Sequence, residues 1–327
     1  MSDDLERFSA FLPFPKMAHL LESELFERFN VGAKNATRLG ELVLIPDFPK
    51  EKGSPYFSRC SSFSLQKKSF SSISEAAGIL KKIQRNWAAY CFSFFRRSAL
   101  IQEKLPYIHV KSRSFPCEIP NTPMGFFSLL SQNELIFSPK TSSPFPLGAI
   151  SFLEDHEHPP SRAYLKIWEA LTVAHTCFDF PFPVSGEKCF DAGACPGGWT
   201  WAMKNCGVFV FSVDRSPLSE ELMKDANVLF LPHDAFTLSV DDVCEKLNTQ
   251  KVDWLLSDVI CYPSRLLEWV QKWIESGRAK HIICTIKMQG AIDWLLVLEF
   301  ASISGAHVLH LNKNKHELTF FWKEKTP

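Results

Sequence analysis

The chain has 327 residues, 46% of them apolar and 22% charged, with Lys+Arg and Asp+Glu equal at 36 each. This composition excludes wholesale disorder and supports a sizeable core, in about two domains of roughly 150 residues. The zero net charge excludes a polybasic mode of action for the chain as a whole, but it conceals a split: residues 1–150 hold 19 basic and 13 acidic residues, residues 151–327 hold 17 and 23. The front half is therefore suited to an anionic partner.

In chain order, Met1–Arg7 is acidic and lacks the basic start of a signal peptide. His19–Phe29 reads as an amphipathic helix, Glu41–Ile45 as a strand, and the Ser-rich Ser58–Ser72 as a loop. Ser74 is expected to cap a helix running to about Tyr90, with Lys81, Lys82 and Arg85 on one side. Arg96 and Arg97 follow in an aromatic stretch, and Pro116–Pro146 alternates short strands with proline turns. This makes 1–150 an α+β domain, and the acidic and histidine-rich 154–160 a linker to a second domain, 151–327.

The second domain alternates strand and helix. Ser161–Ala174 reads as a helix. Strands follow at Lys188–Asp191, Val208–Asp214, Val228–Leu231, Trp254–Asp258 and His281–Ile286. Helices fall between them, from Gly198, near Leu218–Lys224, near Val240–Leu247, at Ser264–Glu275 and, last, at Ile292–Ser302. Such alternation means an α/β Rossmann-like sheet, mostly parallel, with helices on both faces. His307–Leu311 and Glu317–Trp322 are separated by only five residues and are expected to close the sheet as an antiparallel hairpin. No run approaches about 18 consecutive apolar residues, so no transmembrane helix is expected. The ten cysteines form no C-x-x-C and no regular framework, and read as reduced thiols of a cytoplasmic chain.

The most informative stretch runs from Phe190 to Trp199, FDAGACPGGW. A strand ends at Asp191 and a helix starts near Gly198. Gly193, Gly197 and Gly198 permit close backbone approach, and the free N–H groups of a helix start favour an anionic group such as a carboxylate. The alternative for the stretch alone, the lesser of the two, is a tight strand–helix turn with structural glycines. Asp214, Asp234 and Asp258 then recur at successive strand ends. Each alone is more often an N-cap or a solvated loop acid. Together, an acid placed for a ribose diol, one for an adenine amino group and one beside a reacting centre describe a cleft for an adenosine with a charged tail.

DAGACPGGWT, with SRAYLK before it and VDRSP, LPHDAF, LLSDV, TIKM and HELT after it, resembles the FtsJ-like S-adenosylmethionine-dependent RNA 2′-O-ribose methyltransferases over about residues 145–322. The resemblance implies a catalytic tetrad of Lys166, Asp258, Lys287 and Glu317, with Lys287 as proton acceptor and Lys166 as a second cation pressing on it. It implies contacts to S-adenosylmethionine from Ser161, Asp191, Gly193, Cys195, Pro196, Gly197, Gly198, Trp199, Asp214, Asp234 and Asp258. The branch it resembles most acts on a cytidine of 23S rRNA, naked or early in assembly, and its N-terminal domain is THUMP-related with a ferredoxin-like core. Departures from the class include Ala192, Trp201 and His316; none removes a tetrad member.

Two other chemistries are open to such a fold. Cys261 lies three residues after Asp258, where 5-methylcytosine-forming RNA methyltransferases carry a nucleophile, and Cys284 lies in the next strand; Ile260, however, stands where those enzymes have proline. Amino-methylating enzymes need an Asn/Asp-Pro-Pro-aromatic turn, and Ser257-Asp258-Val259-Ile260 is not one. A non-catalytic RNA-binding module that keeps the cofactor fold is a third reading. No metal is expected, since His156 and His158 have no matching ligand set, and a monomer is favoured. In the front half Lys81, Lys82, Arg85, Arg96, Arg97, Lys111 and Arg113 interleave with Trp87, Tyr90, Phe92, Phe94 and Phe95. This pattern suits phosphate contact and base stacking, although most of these aromatics are expected to fill a core.

Overall fold

A computed structural model describes residues 7–325; of the acidic start read above, all but Arg7 lies outside them. The chain forms two compact units, one of the residues up to Arg113 with Pro120–Ser151, the other of Ser114–Ile119 with the residues from Phe152 on.

The first unit holds two four-stranded sheets. β1 (Phe8–Pro13), β2 (Thr37–Leu39), β3 (Leu42–Pro46) and β4 (Ser58–Ser62) pair in the order β2-β3-β1-β4, all antiparallel, with α1 (Ala18–Phe29) between β1 and β2. β5 (Gln66–Ser69), β6 (Trp87–Ala89), β7 (Gly125–Ser131) and β8 (Glu134–Ser138) pair in the order β5-β8-β7-β6, with α2 (Ile73–Ile83) and α3 (Phe95–Lys104) flanking β6 in the chain. Strand alternation serves two cores at once. Phe126 and Ile136 join Leu12, Leu44 and Cys60 of the first sheet. Phe127 and Phe137, one residue on in each strand, join Leu80 of α2 and Ile101 of α3. The Tyr90 hydroxyl staples the β2–β3 turn: it accepts from the Glu41 and Leu42 amides (2.8 and 3.1 Å) and donates to the Leu39 carbonyl (2.9 Å).

Two expectations for this unit fail. Ser58–Ser72 is not a loop: it contains β4 and β5, because serine is small enough to be buried in a sheet once its hydroxyl is bonded. Ser61 bonds Ser58 (2.9 Å), and Ser62 donates to the Ser64 carbonyl (3.1 Å). The following helix is capped by Ser72, whose hydroxyl accepts from the Glu75 amide at 3.1 Å, and it stops at Ile83. Gln84 is extended there, and the indole of Trp87 is fully buried as the chain enters β6. The aromatic stretch around Arg96 is itself a helix, α3.

The second unit is one seven-stranded sheet. Its strands are β9 (Lys188–Ala192), β10 (Phe209–Asp214), β11 (Val228–Pro232), β12 (Val252–Ser257), β13 (Ala279–Lys287), β14 (Ala306–Leu309) and β15 (Glu317–Lys323), in the order β11-β10-β9-β12-β13-β15-β14. The strands are parallel except β15, which runs against both β13 and β14, as the short connection before it requires. Its helices are α4 (Tyr164–Phe178), α5 (Gly198–Asn205), α6 (Glu220–Met223), α7 (Val240–Lys246), α8 (Pro263–Glu275) and α9 (Trp294–Ser302). α4 begins three residues later than expected, which leaves Ser161 free of the helix. Phe190, Phe211, Trp254, Ile282, Ile283, Phe320 and Phe321 are fully buried and form the sheet's share of the core. The segment Ser114–Ile119 belongs to this unit: the ring of Phe115 stacks on Trp168 of α4 (5.0 Å, 10°) and meets Phe152 edge-on.

Strand order reverses beside β9, with β10 on one side and β12 on the other. An open parallel sheet has its ligand crevice at such a point, outside the strands' carboxyl ends.

Candidate active site

The carboxyl end of β9 opens into the turn Gly193–Gly197. Gly193 has φ +81°, and a Cβ there would lie 2.3 Å from Val259 Cγ2 and 3.1 Å from its Cα. Glycine is what lets this turn pass the segment following β12. Gly198 opens α5, and a Cβ on it would lie 2.6 Å from Ser161 Oγ, which places Ser161 against the turn. The Cys195–Pro196 peptide is cis, and Cys195 is exposed. Its amide donates to Asp214 Oδ2 at 3.1 Å, while the Ser216 amide donates to Oδ1 at 2.9 Å, so the acid ending β10 is held at the rim of the turn.

Asp234 follows β11 and caps a short 3-10 turn through the Phe236 amide (3.1 Å). Its carboxylate also takes Arg215 (2.9 Å) and Arg265 (3.2 Å). Burial works to raise its pKa, but the amide and the two guanidiniums bring it below the ordinary value. Asp191 and Trp199 are turned into the core. Asp191 accepts from the Thr200 hydroxyl at 2.6 Å, and that hydroxyl also bonds Ser212 at 2.8 Å. Burial pushes Asp191 up to about 7 against the Thr200 bond, and the charges of Asp258 and Asp214 add to the rise. Trp199 is 3% exposed.

Four side chains from four elements meet beside this turn. Lys166 on α4 reaches Asp258, one residue past β12, with Nζ 3.1 and 3.2 Å from its two carboxylate oxygens, and Glu317 at the start of β15 at 2.5 Å. Lys287, ending β13, places its Nζ 3.0 Å from Asp258 Oδ1 and donates to the Asp258 carbonyl at 2.6 Å. The register explains the convergence: Lys287 is paired directly with Glu317 across the antiparallel β13–β15 ladder. A residue that sequence reasoning passed over completes the set. Thr285, two residues before Lys287 and on the same face, donates to Asp258 Oδ1 at 2.5 Å. A threonine in a strand carries no sequence signal for such a bond.

The electrostatics follow from this crowding. Burial opposes the Lys166 charge, yet Asp258 and Glu317 overcome it and its pKa is raised. Burial likewise opposes Asp258's charge, and Lys166, Lys287 and the Thr285 hydroxyl overcome that, so its pKa is lowered. Two carboxylates therefore meet the charge of Lys166, the second cation beside Lys287. Cys261 is 8% exposed, and burial raises its thiol despite Arg265 and Lys287 nearby. Cys284 is fully buried and raised well above the ordinary thiol value. Thiols held protonated are poor nucleophiles. Among the described residues no group of three or more His, Cys, Asp or Glu could hold a metal, and no helix is long and apolar enough to cross a membrane. All ten cysteines are free.

The sheet order, the glycine turn at the first strand and the acids at the next strand ends place one crevice at the reversal beside β9. The family described as FtsJ-like methyltransferase matches residues 159–294, all within the second unit. The match takes in Lys166, Asp258 and Lys287, with Glu317 beyond it. Among curated proteins the chain is 32% identical over 147 residues to "Ribosomal RNA large subunit methyltransferase M" of Azoarcus sp. (strain BH72), covering 45% of this chain and 38% of that protein. It is 34% identical over 154 residues to the protein of that name from Xanthomonas campestris pv. campestris (47% and 42%). To the one from Hahella chejuensis it is 35% identical over 134 residues (41% and 32%). The chain thus spans about two fifths or less of the length of these three relatives.

Proposed function

We propose that this protein transfers a methyl group from S-adenosylmethionine to an RNA ribose 2′-hydroxyl, most specifically to a cytidine of 23S rRNA. The observation that carries the proposal is the meeting of Lys166, Lys287 and Glu317 around Asp258 beside the glycine turn. The cofactor fits the residues present. Ser161, Gly193 and Cys195–Gly198 would cradle its charged tail, Asp214 its ribose and Asp234 its adenine, with Asp258 beside the reacting centre. Asp191 and Trp199 would support the turn from inside. When bound, the cofactor supplies an electrophilic methyl group.

The chain's own residues handle the proton. Lys166 spends its donors on Asp258 and Glu317, which makes it an anchor. Lys287 has two donor contacts, both to Asp258. In its neutral form an amine has two N–H bonds and one lone pair, so those contacts leave the lone pair for the ribose hydroxyl. Asp258, fixed by Thr285, aims that amine, and Glu317 closes the ribose side. General-base assistance of this kind is worth on the order of 10²–10⁴ in rate.

The front unit we read as the RNA-holding, THUMP-related domain. Supporting this are the β2-β3-β1-β4 order, which is that of a ferredoxin-like sheet, and the basic charge. Trp87 and Tyr90 are buried, whereas Phe94, Phe95 and Tyr107 are exposed large rings available for stacking. The protein would work as a cytoplasmic monomer on naked or early-assembly rRNA.

The test is methyl transfer to transcribed 23S rRNA with labelled cofactor, the modified nucleotide being mapped. Lys287→Ala should lose about 10²–10⁴ in kcat, and Cys261→Ala should be near wild type. A dead Cys261→Ala with an active Lys287→Ala would replace this proposal with base methylation.

A further inference from the structure

Glu169 sits on α4 one turn beyond Lys166. It is a carboxylate only 1% exposed, and its partners come from the turn between β14 and β15. Oε1 accepts from the Asn312 backbone amide at 2.7 Å and from its side-chain amide at 2.8 Å, and Oε2 accepts from the Lys313 amide at 2.9 Å. Burying a carboxylate is costly unless its lone pairs are met, and here three N–H groups of one turn meet them. That turn is wired onward. The Asn314 side chain donates to the Glu317 carbonyl (3.3 Å) and to Thr319 (2.9 Å), and the His316 carbonyl accepts from the amide of Met288 (3.4 Å), the residue after Lys287. One turn of chain therefore touches α4, β13 and β15, the three elements that carry Lys166, Lys287 and Glu317.

We propose that Glu169 is a positioning residue. It clamps the Asn312–Lys313 turn onto α4 so that Glu317 arrives at Lys166 and the pair can hold Asp258 and Lys287 in place. Its catalytic consequence rests on the function proposed above; the clamp does not. Glu169 touches none of the groups of the glycine turn, so its effect should separate turnover from cofactor affinity.

The experiment uses the full chain with Glu169→Gln, which keeps the side chain's shape but turns one acceptor into a donor facing a donor. Amide exchange over 312–317 should rise about tenfold or more, with the rest of the unit unchanged. kcat on 23S rRNA should fall on the order of 10- to 100-fold, while KM for S-adenosylmethionine stays within about twofold. Asn312→Ala, which removes the 2.8 Å donor but leaves both backbone amides of the turn, should move both readouts the same way and less; it serves if Glu169→Gln does not fold. Unchanged exchange at 312–317 overturns the clamp. A parallel loss of cofactor affinity and of protection throughout the unit overturns the positioning role, since general damage would do that. If wild type transfers no methyl group to RNA yet exchange still rises locally in the variant, the proposed function falls and the clamp stands.

Discussion

Lys166 and Lys287 share one carboxylate, and they differ in what else each touches. Glu317 completes the shell of Lys166, while Lys287 turns to a backbone carbonyl that cannot neutralise it. Asp191 shows the same logic in reverse, a carboxylate buried with hydroxyls and no cation in hydrogen-bond reach. Its native pKa of about 7 lies above the ordinary 3.8, so between those values the folded state holds a proton that the unfolded state has released. Stability drawn from this group is therefore full at low pH and is lost as pH rises from about 4 to 7, on the order of a few kcal/mol. Asp258 has the opposite sign: its lowered pKa adds stability above the ordinary aspartate value, lost as pH falls through its native one. Asp191→Asn keeps an acceptor for Thr200 and removes the buried charge. Urea unfolding should find the variant gaining on wild type by more at pH 8 than at pH 5. An equal difference at both values would mean that Asp191 is not a buried titrating acid.

At the scale of elements, the β9–α5 turn depends on the absence of one methyl group. Gly193→Ala would force a positive φ on a residue with a Cβ, costing about 1–2 kcal/mol, and drive that carbon into Val259. Cofactor affinity should drop tenfold or more in equilibrium binding, with a lowered Tm; unchanged affinity would detach the turn from the cofactor. Ser72→Ala in the front unit should cost about 1 kcal/mol of stability by chemical denaturation, through loss of the α2 cap. This turn and the seven strands around it were legible because strict alternation of apolar strand and amphipathic helix leaves few topologies, and because Gly193 and the strand-end acids lie in one dimension at fixed intervals. The tetrad was legible only through resemblance, since Lys166 and Asp258 are 92 residues apart and nothing in spacing brings them together. Thr285 and Glu169 were illegible: their importance lies in where a neighbouring element places its donors and acceptors. In the front half, buried serines in β4 resembled a loop, and the break after Ile83 depends on Trp87 pairing with Gly125 of β7, a partner strand about 40 residues later in the chain.

Across the whole molecule the charge is divided between the two units. The first, without Glu118, carries 19 basic and 12 acidic residues, and the second is correspondingly acidic. On the proposed function a polyanion would be drawn to the first unit while the second carries the side chains around Asp258, and such attraction is set by released counterions. RNA affinity should fall with rising salt, and the log–log slope should shrink by about one for each phosphate contact removed. The cations are not equivalent in this respect. Arg96 and Lys81 are exposed, whereas Arg97 is half-buried with its guanidinium 5.4 Å from the ring of Phe70, a core residue. Lys81→Glu with Arg96→Glu should weaken RNA binding and flatten its salt dependence with Tm unchanged. Arg97→Glu should lower Tm as well, because it strips a cation from an aromatic face and buries an acid near apolar side chains. Filter binding of 23S rRNA fragments from about 50 to 200 mM salt reads the affinity of both variants. If the double variant keeps both the affinity and the slope of wild type, RNA is held elsewhere, and the charge division serves solubility rather than recognition.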